Sequence, residues 1–297
     1  MCGIMGFYCF GDQKPDKSKI SVMFSLLETR GRDASGYAFI KNGNLIVDKA
    51  PIHSSAFVKQ REWQELELPQ CMILHTRMKT QGSEQNSNNN HPLYNKEGIA
   101  IVHNGIVHND HEIFGKNQRD GEVDSEAILA VLSSKGKGDK IKRVFDRIEG
   151  SFAVAIINKT DPDTLILIKK DNPIDMYFNI DQDILYFCSE REIMQEALEI
   201  KSVSKRGFNI GESDYHYYQM ENNHALVLNM KGVESYKRYN TRDRWGSNRE
   251  FSRYNLDRIT VQCPWCLSMT KYFDGLNHNN CEICGAGISE ADLYEII

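Results

Sequence analysis

Short apolar runs bounded by polar or turn-forming residues recur through the first 240 residues of this chain. Residues 3–9, 71–74, 99–102, 152–157 and 165–168 are such runs, several of them rich in β-branched side chains, and they read as buried strands. Residues 37–40 and 45–47 flank Lys41-Asn42-Gly43-Asn44, which predicts a hairpin. Helical spacing is equally local. Ile20, Met23, Phe24 and Leu27 follow the i, i+3, i+4, i+7 pattern. Asp124-Ser125 opens a helix carrying Ile128, Leu129 and Leu132, and Ile141, Val144, Phe145 and Ile148 mark another. A third is expected over 190–200, and residues 225–228 are expected to pair with 233–236. Many strands with segregated helices and no internal repeat predict an α+β fold with a mainly antiparallel sheet system.

Composition narrows the class. Of 297 residues, 40% are hydrophobic and 26% charged, as in soluble globular proteins. The formal net charge of −5 gives no global attraction to nucleic acid. Apolar runs such as 152–157 are far too short to span a membrane. The N-terminus has no basic segment followed by a long apolar stretch, so a cytoplasmic protein is expected.

The eight cysteines fall into two groups. Cys2, Cys9, Cys71 and Cys188 are scattered, whereas Cys263-Pro-Trp-Cys266 and Cys281-Glu-Ile-Cys284 are two CxxC pairs separated by fourteen residues. In a reducing compartment this spacing predicts a closed four-thiolate structural zinc site, with no metal needed for catalysis. A ribbon over 259–297 is too short to bury much core, so zinc would supply much of its folding free energy. Residues 241–258 read as a basic linker. From 237 to 258, Lys237, Arg238, Arg242, Arg244, Arg249, Arg253 and Arg258 face only Asp243, Glu250 and Asp257, a balance of +4. Interleaved Tyr239, Trp245, Phe251 and Tyr254 would suit a nucleic-acid contact. The ribbon itself sets Asp274, Glu282, Glu290, Asp292 and Glu295 against Lys271, a balance of −4 that repels phosphate. Docking on acidic protein surface is therefore the favoured reading of the linker.

Cys2 is the candidate nucleophile, although a cysteine after the initiator Met is by itself usually just a small residue. Removal of Met1 would give one residue both a thiol and a free α-amine. The amine's ordinary pKa of about 7.7–8.0 lets it act as a general base near neutrality. Seven stretches, the first of them starting at Cys2 itself, support that role: Cys2-Gly-Ile-Met-Gly6, Arg30-Gly-Arg-Asp-Ala-Ser-Gly36, His75-Thr-Arg-Met-Lys-Thr-Gln-Gly82, Asn90-His-Pro92, Val102-His-Asn-Gly-Ile106, Asp124-Ser-Glu126 and Gly150-Ser-Phe-Ala153. In these motifs and their order the first 240 residues resemble the class II glutamine amidotransferases, nearest the glutaminase domain of glucosamine-6-phosphate synthase. The resemblance implies a four-layer αββα N-terminal-nucleophile hydrolase fold over 2–240. It also implies hydrolysis of L-glutamine to glutamate and ammonia through a Cys2 thioester.

The same resemblance assigns site residues. Asn104 and Gly105 would donate to the oxyanion, through the Asn amide and the Gly N–H. Arg77 suits the substrate's α-carboxylate, since a guanidinium offers a bidentate fork, and Asp124 suits its α-ammonium. Thr80 and His91 match positions lining the glutamine pocket. Arg30, Gly31 and Gly36 belong to a loop near the nucleophile, and His75 and His103 read as core residues. Met78 and Gln81 depart from that synthase, which often has tryptophan and histidine there, so lid closure and acceptor coupling are in doubt. Residues 83–90, rich in asparagine, read as a mobile loop. No synthase signature follows residue 240, so ammonia is expected to reach a separate synthase. The rivals are an amidase acting on another amide and a non-enzymatic nucleic-acid-contacting protein.

Overall fold

The computed structural model describes residues 2–117, 119–135, 138–200 and 215–240, together with the backbone of short strands at 258–262, 269–273, 279–280 and 287–288. The chain divides into two compact units, Met1–Arg242 and Asp243–Ile297.

The first unit holds strands β1 (Gly3–Cys9), β2 (Ala34–Lys41), β3 (Asn44–Ala50), β4 (Cys71–Arg77), β5 (Leu93–Tyr94), β6 (Ile99–Val107) and β7 (Gly150–Asn158). It continues with β8 (Asp161–Lys170), β9 (Asp175–Asn179), β10 (Ile184–Cys188), β11 (Tyr215–Gln219), β12 (His224–Asn229) and β13 (Gly232–Arg238). Its helices are α1 (Lys17–Leu26), α2 (Ser54–Phe57), α3 (Arg61–Glu65), α4 (Asp110–Phe114), α5 (Glu126–Ser133), α6 (Lys140–Arg147) and α7 (Arg191–Ala197). Two sheets result, ordered β11-β9-β10-β1-β4-β2-β3 and β13-β12-β8-β7-β6-β5. The paired strands run antiparallel, as the α+β reading expects.

Strand alternation explains the layering. In β1, Met5, Phe7 and Cys9 join Ile20, Met23, Phe24 and Leu27 in a core between the first sheet and its helices. Ile4 and Tyr8, on the opposite face, pack with Ala100, Val102, Ala153 and Ala155 between the sheets. Ile99 and Ile101 of β6 face a third core with Ile128, Val131, Leu132, Val144 and Phe145 of α5 and α6. Both faces of β1 and β6 are thus dry, which is why their sequences are apolar runs and not alternating patterns. Each large apolar side chain so buried contributes roughly 1.5–3 kcal/mol. Gly6 is required by this packing: a Cβ there would lie 2.3 Å from the Met72 carbonyl oxygen.

Local chemistry sets the element ends. Asp16 caps α1 by accepting from Ser18 N–H at 2.7 Å, and Asp139 caps α6 by accepting from Ile141 N–H at 2.8 Å. Asn42 (φ 54°) and Gly43 (φ 73°) make the β2–β3 turn left-handed, as a two-residue hairpin requires.

The structure corrects two expectations. Asn104 and Gly105 do not follow a strand ending at Val102; β6 runs on to Val107, pairing Asn104 with Ala153 and Gly105 with Phe152. A polar pair inside a strand ended the apolar signal early. Gly36 lies within β2, not in a loop, because the His91 carbonyl passes 2.5 Å from where its Cβ would stand. Within the asparagine-rich stretch, Asn89 and Asn90 are 0% and 1% exposed, whereas residues 85–88 are exposed.

In the second unit, β14 (Arg258–Gln262) pairs with β15 (Met269–Phe273), and β16 (Asn279–Asn280) pairs with β17 (Gly287–Ile288). Cys263, Cys266, Cys281 and Cys284, expected to bind zinc, lie outside the described residues, as does the arginine-rich linker from 241 to 257.

Candidate active site

The end of β1 presents Cys2 beside the end of β4. The Cys2 carbonyl accepts from Arg30 Nε at 2.9 Å, and Arg30 in turn pairs with Glu190. Ile4 N–H donates to Ser189 Oγ at 3.0 Å, and Ser189 N–H donates to the Ile4 carbonyl at 2.9 Å. These bonds fix the backbone just behind the thiol. Met78 N–H donates to Cys2 Sγ at 3.4 Å. Burial pushes the thiol pKa up; the Met78 bond, the chain's amino terminus and Arg77 oppose this, and Asp124 adds to it. Arg77 and Asp124, remote in sequence, therefore both act on the field at one sulfur.

Arg77 closes β4 and is 3% exposed. Its Nη1 donates to Asn90 Oδ1 at 2.8 Å, and Nη2 donates to the carbonyls of Gln81 and of Gly82, the latter at 3.0 Å. Burial lowers the Arg77 pKa, against the pull of Cys2, Asp33, Glu84 and Glu122. Asn90 is held in turn, and its neighbours Asn88 and Asn89 tie the segment to residues 120–122. Asn90 Nδ2 donates to the Glu84 carbonyl at 2.7 Å; Asn89 Nδ2 donates to Glu122 Oε2 at 2.8 Å and Asn89 Oδ1 accepts Glu122 N–H at 2.7 Å. Asn88 Nδ2 donates to the Asp120 carbonyl at 2.9 Å.

Asn104 and Gly105 enter from the second sheet. Their position is tied to β4 by His75 Nε2, which donates to the His103 carbonyl at 3.0 Å. Asn104 is 1% exposed and its Nδ2 is buried without a hydrogen-bond partner. Gly105 adopts φ +149°, and a Cβ there would lie 2.0 Å from the Ser151 carbonyl oxygen, so no other residue fits. Asp124 accepts Val107 N–H through Oδ2 at 2.6 Å. His103 Nδ1 lies 2.7 Å from Ser125 Oγ, which donates to Asp124 Oδ1 at 3.3 Å.

Cys2, Arg77 and Asp124 are thus brought together, and Asn104 and Gly105 are tied to the same strand end. His91 is 4% exposed and stacks on His75 with ring centroids 4.2 Å apart. Thr80 is exposed, three residues beyond Arg77. His75 and His103 are buried, as a core reading expects. Sequence reasoning missed Asn90 and Ser125 as partners of Arg77 and Asp124, although both sit inside quoted motifs. It also missed Lys49, whose Nζ donates to the Asn90 and Pro92 carbonyls at 2.7 and 3.1 Å and braces the His91 segment. Burial pulls Lys49 down to about 8. No local pattern marks it.

Residues 75–196 match the glutamine amidotransferase domain family. Over 183 residues the chain is 33% identical to glutamine–fructose-6-phosphate aminotransferase (isomerizing) of Caldanaerobacter subterraneus subsp. tengcongensis, covering 59% of this chain and 29% of that one. The first unit is thus similar in sequence to glutamine amidotransferase domains. The chain is also 28% identical to the same enzyme of Clostridium tetani, covering 73% of this chain and 39% of the relative. The chain therefore spans well under half the length of these relatives. In fold it resembles the glutamine phosphoribosylpyrophosphate amidotransferase of B. subtilis, with TM-score 0.64 and 16% identity over 81% of this chain and 50% of that one.

Proposed function

We propose that this chain hydrolyses L-glutamine to glutamate and ammonia, with Cys2 as nucleophile. The observation that supports this best is the convergence on the Cys2 sulfur of Arg77 and Asp124, one cation and one anion. A free amino acid bearing a carboxylate and an ammonium matches that pair, and a peptide-bond amide does not. In this reading the amine freed by loss of Met1 takes the thiol proton, and sulfur bonds to the γ-carbonyl carbon. Negative charge moves to the carbonyl oxygen, towards Asn104 Nδ2 and Gly105 N–H. Collapse breaks the C–N bond, and the amine returns its proton so that ammonia leaves. Water then cleaves the thioester, releasing glutamate and restoring the thiol. Thr80 and His91 would line the substrate pocket.

Glutamate release by purified protein beginning at Cys2 tests the reading, with glutaramide and asparagine as competing amides. Cys2→Ala and a form retaining Met1 should be inactive yet folded. Wild-type turnover by Cys2→Ala would falsify the mechanism.

We further propose that Cys263, Cys266, Cys281 and Cys284 hold one structural zinc. Support comes from chain position: each CxxC falls between two strands that pair with each other. The ammonia is proposed to pass to a separate synthase docked by residues 237–297. Stimulation of hydrolysis by a partner from native extract, lost in a chain ending near Tyr239, is the expected result; equal stimulation of both forms removes the docking role.

A further inference from the structure

Asp124 is held by two restraints. Oδ2 accepts Val107 N–H at 2.6 Å, and Oδ1 accepts the Ser125 hydroxyl at 3.3 Å. Ser125 is the donor in that second contact. His103 Nδ1 lies 2.7 Å from the same hydroxyl oxygen. Burial pulls the pKa of His103 down, against the pull of Asp124 and of a bond to the Ser151 backbone. Ser125 is 3% and His103 2% exposed, so water does not replace these bonds readily. The His103 carbonyl, held by His75, immediately precedes Asn104. One residue therefore has its ring on the Asp124 chain and its backbone next to Asn104-Gly105.

We propose that Ser125, set by His103, is a positioning residue that fixes the Asp124 carboxylate for reading a substrate α-ammonium and so determines selectivity for α-amino amides. This rests on the glutaminase reading. Without the hydroxyl, Asp124 keeps only the Val107 bond through one oxygen, and the other oxygen loses its direction. An amide acid without an α-ammonium makes no use of Asp124, so its turnover does not depend on Ser125.

The experiment compares kcat and KM for L-glutamine and for glutaramate, the same molecule with hydrogen in place of the amine. Wild type, Ser125→Ala, Ser125→Cys and Ser125→Thr are assayed, each first shown to melt cooperatively. Two hydroxyl-free variants ensure a folded member. Ala and Cys should raise the glutamine KM about tenfold or more, as loss of a hydrogen bond to a charged group does, with kcat within about twofold. Their glutaramate kinetics should match wild type, so that selectivity falls about tenfold. Thr, which keeps the hydroxyl, should restore it. Wild-type selectivity in Ala or Cys, or equal loss in Thr and Ala, overturns the proposal. A wild-type chain that hydrolyses neither compound overturns the glutaminase reading itself, so the two failures are distinct.

Discussion

Desolvation and charge act in opposite directions on Cys2. The thiol is pushed up by burial, and only the Met78 bond, the amino terminus and Arg77 counter it. A thiol of that kind is protonated at neutrality and needs a base, so the rate should climb as the Cys2 α-amine loses its proton. Glutamate release measured from pH 6 to 9 should rise and level off near the amine's ordinary value of about 7.7–8.0. A flat profile would mean that another group takes the proton. Arg77 depends on Asn90 for its orientation. Asn90→Ala removes a buried partner of a charged group, and the glutamine KM should rise about tenfold or more with little change in kcat. Arg77 was legible in sequence because the chemistry demands a fork for a carboxylate. Asn90 was not, because asparagine in a polar run carries the same local signal whether it orients a guanidinium or faces water.

At the scale of elements, β6 and the β2–β3 hairpin give contrasting glycine tests. Gly105→Ala places a methyl 2.0 Å from the Ser151 carbonyl in a backbone conformation that L-residues rarely adopt, and should abolish stable folding or activity. Gly43 has nothing within 4 Å of its Cβ position. Gly43→Ala should therefore cost only the left-handed conformational penalty, about 1–2 kcal/mol, with glutaminase activity intact. Thermal melts of both variants check the contrast. Strands β1, β4, β7 and β8 were legible because short, continuous apolar runs bounded by polar residues have few alternatives. Strands β9 and β10 were not flagged, although Ile184–Cys188 pairs directly with β1. Their run is broken by the turn at 180–183, where Asp183 (φ 57°) reverses the chain between two short segments. The early end assigned to β6 has the same origin: hydrophobicity marks packing, and Asn104 is buried for its amide.

Across the first unit, three imidazoles are sealed inside the protein around the strand ends. Burial holds His75 at about 3, and His91 and His103 are likewise pushed below their ordinary value. An unfolded chain protonates these rings below pH about 6.5, whereas the folded protein does not. Their contribution to stability is complete above that pH and is lost progressively as pH falls towards 3. Each ring adds up to about 1.4 kcal/mol per pH unit to the slope. The melting temperature should drop steeply between pH 6.5 and 5, and His75→Gln should flatten the decline. An unchanged slope in that variant would show that His75 is not held neutral. The relation of the two units was legible only as a shift in composition at about residue 240, since charge pattern and cysteine spacing mark a boundary without describing contacts.

The hydrogen bonds of Arg77 turn substrate capture into an exchange. Both protons of Nη2 already rest on the carbonyls of Gln81 and Gly82, so a group that binds through Nη2 must displace neutral oxygens from a buried cation. A carboxylate can do so because its full charge outcompetes two dipoles. An ester or a primary amide offers only another dipole, and gains nothing over what it would evict. The segment after β4 thereby acts as a built-in competitor that sets a threshold of charge for entry. Discrimination at this end of the pocket then comes from the oxygens already there as much as from the arginine.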